Sequence, residues 1–362
     1  MKVKSLKKLL MALIVFLLLT SGCAKNDRPE PVDNSKAEIP PHQVHTAVIT
    51  ETKAPKYFIP SATMPDGSLF GLSGTKLTTW NPENGEVKTI GNAWSGMLSP
   101  NAAKIAFTDD LGLQVLDVDT GAITSVDQNP TVGDSALDLG VWSPDSGKFM
   151  YMFVREWSSD YFIYNAETGE KKTYEFGNIP NFLSRPVDWY DNGLLFAVHA
   201  NQSKSGEQEY KESGYRSDLM LADIEGTFTP VSDMDDGQFA LYCDTTNDNE
   251  TMLVLVWEGE SKTSVGLLNT GDGQIDYIAA GDNTVEGSIG PDGKFAIFIT
   301  AIEGGRFSAR VFDLESSTGI LEQELAGYEP PRHFMWSGDG RTVAFGLQGD
   351  DENGIFYTVK IK

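Results

Sequence analysis

Two cysteines and four histidines in 362 residues are too few for a disulfide framework or a His-rich metal centre. Basic residues are scarce as well: 28 Lys and Arg face 52 Asp and Glu, a net charge of −24. Nucleic acid is a poor partner for so acidic a chain, because binding a polyphosphate depends on cations that release its counterions. The longest apolar run, residues 9–19, falls short of the ~20 residues that span a bilayer. There is no long stretch of period 3.6, which argues against a helical fold. What the chain does have is 40% hydrophobic and 10% aromatic residues, enough for a sizeable core. Its 36 Gly and 17 Pro punctuate short β-branched runs, the pattern of many turns and many strands.

The first 22 residues read as a secretory signal, with Lys2, Lys4, Lys7 and Lys8 ahead of the apolar run. Thr20-Ser21-Gly22-Cys23 resembles the lipobox of bacterial lipoproteins. That resemblance implies diacylglyceryl transfer to the Cys23 thiol, cleavage before it, acylation of the palmitate type, and attachment to a membrane facing outside the cytoplasm. Two acyl chains give the double signal that stable anchoring needs. Removing residues 1–22 leaves a mature charge of −28, so lipid rather than protein surface is expected to hold the body at the membrane. Residues 23–43, with Pro29, Pro31, Pro40 and Pro41 among polar neighbours, read as a disordered tether. At about 3.1 Å per residue, twenty such residues reach roughly 60 Å. No Asp follows Cys23 as an inner-membrane retention signal; a Gram-positive cell surface is favoured over a Gram-negative outer membrane.

From residue 44 onward one phrase recurs. Leu98-Ser99-Pro100-Asn101 leads to Ile105-Ala106-Phe107, and Trp142-Ser143-Pro144-Asp145 to Phe149-Met150-Tyr151. Ile289-Gly290-Pro291-Asp292 leads to Ala296-Ile297-Phe298, and Trp336-Ser337-Gly338-Asp339 to Val343-Ala344-Phe345. Each copy reads as strand, tight turn, strand, with Pro setting φ and Asp, Asn or Gly turning the corner. Weaker copies begin at Met64, Asp188 and Tyr242, making seven. A second hairpin follows each, as in Val115-Leu116-Asp117 before Thr120-Gly121. Seven repeats of about 45 residues, four antiparallel strands each, predict an all-β, seven-bladed β-propeller over residues 44–362. The phrases resemble the WD40-like repeat of TolB-type propellers, a likeness that covers the propeller alone and specifies fold far more than ligand. The last repeat stops after three strands, and residues 44–50 are expected to supply the fourth, closing the ring.

Catalytic signatures are missing. Gly71-Leu72-Ser73-Gly74-Thr75 fails a nucleophile elbow at its last place, and Gly271-Asp272-Gly273 reads as a hairpin turn rather than a phosphate loop. No cofactor and no metal site are expected. Cys243 reads as a buried, inert strand residue. Asp233, Asp235 and Asp236, like Asp350, Asp351 and Glu352, complete no calcium loop and read as solvated turns.

In a four-stranded meander, the first-to-second and third-to-fourth turns share one end of the propeller. The second-to-third turns and the links between blades share the other. Long segments fall only at the second end, which is therefore the expected working face. It would display Trp94, Arg155, Trp157, Arg185, Tyr215, Arg216, Arg306, Arg332 and His333. Five of the propeller's seven Arg are among them, which points to a pocket for an anionic group, a carbohydrate or an acidic peptide at the channel mouth. The alternative at that point is that each Arg pairs with a neighbouring acid. Three functions fit: a lipid-anchored binding or scaffold module for an envelope protein, peptide or glycan; a glycan-active hydrolase or lyase working with carboxylates and Arg; and an envelope-assembly scaffold of the BamB type.

Overall fold

The computed structural model describes residues 45–128, 136–155, 159–175, 185–190, 193–199, 217–223, 226–234, 238–258, 262–278, 283–327, 329–331, 333–348 and 353–362. All belong to one compact unit, Val44–Lys362. The lipobox and the tether lie outside the described residues, as do Asp235, Asp236 and residues 350–352 of the acid clusters.

The unit is a seven-bladed β-propeller. Strand β1 (Ala47–Lys56) comes first, and blade 1 follows with β2–β5 (Phe58–Thr63, Leu69–Ser73, Lys76–Trp80, Val87–Asn92). Blade 2 holds β6–β9 (Ser95–Leu98, Lys104–Asp109, Gly112–Asp117, Ile123–Gln128), and blade 3 holds β10–β13 (Ala136–Trp142, Lys148–Val154, Ser159–Asn165, Lys171–Tyr174). Blade 4 holds β14–β17 (Arg185–Tyr190, Gly193–His199, Ser217–Ala222, Phe228–Pro230), and blade 5 holds β18–β21 (Gln238–Thr245, Thr251–Glu258, Lys262–Asn269, Ile275–Ile278). Blade 6 is β22–β25 (Thr284–Ile289, Phe295–Ile302, Arg306–Asp313, Thr318–Leu325), and the chain ends with β26–β28 (Phe334–Trp336, Thr342–Gln348, Asn353–Ile361).

Blade 7 has the order β26-β27-β28-β1, so the first strand of the unit is the outermost strand of the last blade. The latch is longer than the sequence suggests: Ala47 pairs Ile361 and the ladder runs to Lys53 opposite Ile355, with a further pair at Lys56–Asn353. The Tyr357 hydroxyl donates to Glu51 of the latch at 3.1 Å and accepts from the Ala326 N–H of the preceding link at 2.9 Å. Burial, first, and the Glu51 charge push that phenol up to about 12.

The core lies between blades. Phe295, Ile297 and Ile299 of β23 pack with Val343, Phe345, Tyr357 and Val359 of blade 7, whereas Ala296 and Phe298 pack with Leu253, Leu255 and Val265 of blade 5. One strand thus feeds two interfaces by simple alternation, which is why the second strands read as continuous apolar runs.

The recurrent phrase folds the same way each time. Ser143 Oγ donates to Asp145 Oδ1 at 2.6 Å, the Gly147 N–H donates to the same oxygen at 2.9 Å, and the Lys148 N–H donates to Ser143 Oγ at 2.9 Å. Ser99-Asn101, Thr246-Asp248 and Ser337-Asp339 repeat the arrangement. The next corner residue has positive φ: Ala102 (57°), Ser146 (61°), Asn249 (58°), Gly293 (69°) and Gly340 (65°). Asp-Gly is therefore the favoured spelling of the corner, since only glycine enters that region without Cβ strain.

Candidate functional site

Five innermost strands carry a β-bulge. The register shifts in β2, β10, β14, β18 and β22, each against the second strand of its own blade. An extra residue bends the strand and re-aims its neighbours, and bulges gather beside functional sites. In blades 4, 5 and 6 the residue just after the bulge is an acid: Asp188, Asp244 and Glu286. Asp188 and Asp244 oppose Leu195 and Leu253, equivalent places in the two repeats; in blade 6 the equivalent place, opposite Ile297, is Ser288. Blades 1, 2 and 7 have Ala62, Met97 and Met335 there. At this position the inner strands are thus polar in blades 4 to 6 and apolar in blades 7, 1 and 2.

Hydrogen bonds run from blade to blade along this arc. Trp336 Nε1 donates to Ser288 Oγ at 2.8 Å; Ser288 Oγ in turn donates to Asp244 Oδ2, and the Tyr242 hydroxyl to Asp188 Oδ2. Backbone N–H groups of Trp189 and Thr245 hold the other carboxylate oxygens at 2.7 and 2.9 Å. Desolvation outweighs these donors: it raises Asp188, lifts Asp244 to about 6 and lifts Glu286 to about 7, with the charge of Asp244 adding to the last. Near neutrality Asp244 and Glu286 therefore exchange protons readily, and when protonated they both donate and accept hydrogen bonds. Cys243, the bulged residue of β18, is half-buried rather than sealed, and burial pushes its thiol up, so it stays protonated. Among the described residues no three His, Cys, Asp or Glu come together as a metal site.

The long-loop end carries exposed apolar side chains. Ten large hydrophobic residues among those described are exposed; Tyr57, Trp94 and Leu111 lie in connections at this end, and Trp257 and Val285 one residue inside strand ends there. Val48, Val87 and Ile123 lie at the strand ends beside the short turns, Tyr277 on an outer strand and Leu241 on an inner strand. Trp94, 58% exposed, is held by its N–H to the Thr108 carbonyl at 2.8 Å, which sets it beside the turn that carries Leu111. Val285 is the extra residue of the β22 bulge.

Of the residues singled out from the sequence, Trp94, Arg155, Arg306 and His333 are exposed at this end. Arg155 pairs with Asp160 across its hairpin, and Arg306 with Glu324 of the neighbouring strand. Each cation is thus tied to an acid of its own blade, in blades 3 and 6, rather than gathered with the other. Arg185 opens β14, its backbone opposite Ala197; its side chain, with Trp157, Tyr215, Arg216 and Arg332, lies outside the described residues. Sequence reasoning missed the carboxyl arc because its members lie one residue past bulges that no motif announces. Trp257 and Val285 lie outside the repeated phrase.

No family model and no curated protein matches the sequence. Solved structures do match the fold. An oligogalacturonate lyase in complex with manganese is 13% identical, over 86% of this chain and 91% of that one, with a TM-score of 0.64. The oligogalacturonate lyase of Vibrio parahaemolyticus is 12% identical over the same shares, with a TM-score of 0.62. The β-propeller domain of the trilobed protease of Pyrococcus furiosus is 15% identical over 84% of this chain and 93% of that one, with a TM-score of 0.54; that domain has an open velcro topology, whereas β1 closes the ring here. At such identities the likeness is one of fold.

Proposed function

We propose that this chain is a lipid-anchored, extracytoplasmic binding propeller of the TolB-type repeat class, whose long-loop end takes up a glycan or protein of the cell envelope. The observation that carries this reading is the placing of exposed aromatic side chains: Tyr57 and Trp94 stand in the links between blades and Trp257 at a strand end on the same side, whereas the strand ends beside the short turns expose only the aliphatic Val48, Val87 and Ile123. Exposed aromatics on a rigid scaffold are what a recognition face is built from. The signal and lipobox supply the address. In the test, the chain is expressed in a bacterial envelope and its partners are captured. Trp94→Ala with Leu111→Ser should abolish capture while the melt stays within a few degrees, and Cys23→Ala should release the protein from membranes. Capture unaffected by the double substitution would sink the assignment of the face.

One observation favours a second reading, a glycan-active enzyme: the Glu286 carboxyl, lifted to about 7, suits a general acid at neutral pH. New reducing or unsaturated ends released from polysaccharide by the wild-type chain, and not by Glu286→Gln, would establish it.

A further inference from the structure

At the long-loop end, blades 5 and 6 part to leave an open groove of about 730 Å³, within the range of small-ligand sites. Alternation of side chains explains it. Leu253 and Leu255 of β19, and Val265 of β20, face Phe298 of β23 and close the interface below. One rung higher on the same faces come Trp257 and Thr263 of blade 5 and Thr300 and Ile302 of blade 6, and these do not fill the gap. Trp257 is 39% exposed and forms one wall; Thr263, Asn283, Thr284 and Glu303 ring the space with hydroxyl, amide and carboxylate groups. Beneath it the Thr300 hydroxyl, in a side chain only 5% exposed, has no hydrogen-bond partner.

We infer that this groove binds a neutral sugar ring of an envelope glycan, an inference that rests on the reading of the long-loop end as the working face. An indole wall suits the apolar face of a sugar, and the ring of hydroxyl, amide and carboxylate groups suits its hydroxyls. Among the described residues no Lys or Arg lines the groove; Arg306, which donates to the Glu303 carbonyl at 3.4 Å, has its charge taken up by Glu324, and Glu303 stands at the rim, in a chain of charge −24. A uronate ring would meet repulsion there, so the ligand class differs from the anionic one that the lyase fold neighbours are named for.

The test is calorimetric titration of the detergent-solubilised full chain with gluco-, xylo-, manno- and chito-oligosaccharides, and with oligogalacturonate as the anionic arm. At least one neutral series should bind. Trp257→Ala should weaken it tenfold or more, and Trp257→Phe less. Thr263→Arg, which fills the groove from a partly exposed position, should block binding if Trp257→Ala fails to fold. Binding of oligogalacturonate alone, of no neutral series, or of a neutral series indifferent to Trp257→Ala and Thr263→Arg would overturn the inference. If Trp94→Ala with Leu111→Ser removes capture while the groove substitutions do not, the groove assignment fails and the proposed face survives; if none of them matters, both fail.

Discussion

At the short-turn end of the propeller the same three hydrogen bonds recur in blades 2, 3, 5 and 7, and neighbouring turns are tied by Asn101 N–H to Ser146 Oγ at 3.0 Å and Asn247 N–H to the Pro291 carbonyl at 3.0 Å. At the long-loop end the connections differ in length and composition, and aromatics stand in solvent. The charges differ in kind too. Turn carboxylates such as Asp145, Asp248 and Asp339 are held below their usual range, chiefly by Ser or Thr hydroxyls and then by backbone N–H groups. Asp244 and Glu286 on the inner strands are held above it by burial. The short-turn end is repetitive, as a folding device should be; the long-loop end is irregular and exposes aromatics, as a recognition surface does.

The latch spans both ends, so cutting it is the severest test. Deleting residues 44–51 removes the pairs from Ala47 to Glu51, frees the outer edge of β28, and strips Tyr357 of its Glu51 partner. The melting temperature should fall by about 5 °C or more on scanning calorimetry, since even ~1 kcal/mol moves a domain of this size by a degree or more. An unchanged melt would mean that the ring needs no closure.

A second test sets the two classes of carboxyl against each other through pH. Asp244 and Glu286 have folded values above their unfolded ones, so their contribution is fully present below about pH 4 and is lost as pH rises through about 6 to 7. The turn aspartates have folded values below their unfolded ones, so theirs is present above about pH 4 and is lost as pH falls further. Stability should therefore peak near pH 5. Glu286→Gln and Asp244→Asn should raise stability at pH 8 by about 1–3 kcal/mol and leave it nearly unchanged at pH 5, measured by urea unfolding. A variant curve parallel to the wild-type curve would show that these groups are not the ones that titrate.

How far the fold could be read from the sequence follows from the same division. The turn chemistry is local: Ser143, Asp145 and Gly147 find one another within five residues, so the phrase shows in the sequence and repeats wherever it folds. The latch was legible as a missing strand, though its end at Lys56 was not, because that depends on pairing with residues some 300 positions away. The carboxyl arc joins Asp188, Asp244, Ser288 and Trp336, each from a different blade. Only blade packing brings them together, and only bulges turn them the right way. Trp94 was legible because it stands alone between strands; Trp257 lies inside a strand, where nothing in the sequence sets it apart.

A milder test returns to the short-turn end. Asp145→Ala removes the acceptor of the Ser143 hydroxyl and the Gly147 N–H, and should cost about 1 kcal/mol of stability, the usual net worth of such bonds. Binding at the opposite end should be untouched. A loss of binding with no loss of stability would reverse the roles assigned to the two ends.

The smallest effect should be a gain. Ala102 occupies the corner where the other copies place Ser, Asn or Gly, at φ 57°. An L side chain in that region carries about 1 kcal/mol of strain, while glycine carries none but frees the unfolded chain. Ala102 is buried, yet it carries only a methyl group, so little packing is lost. Ala102→Gly should therefore raise stability by a few tenths of a kcal/mol, up to about 1, by denaturant midpoint at unchanged slope. The same exchange in reverse, Gly340→Ala, meets both the strain at φ 65° and the carboxylate of Asp292, whose Oδ1 would lie 2.9 Å from the new Cβ. It should destabilise by more than the first gains. If the two substitutions moved stability in the same direction, backbone strain would not explain why the repeat prefers Asp-Gly at its corner.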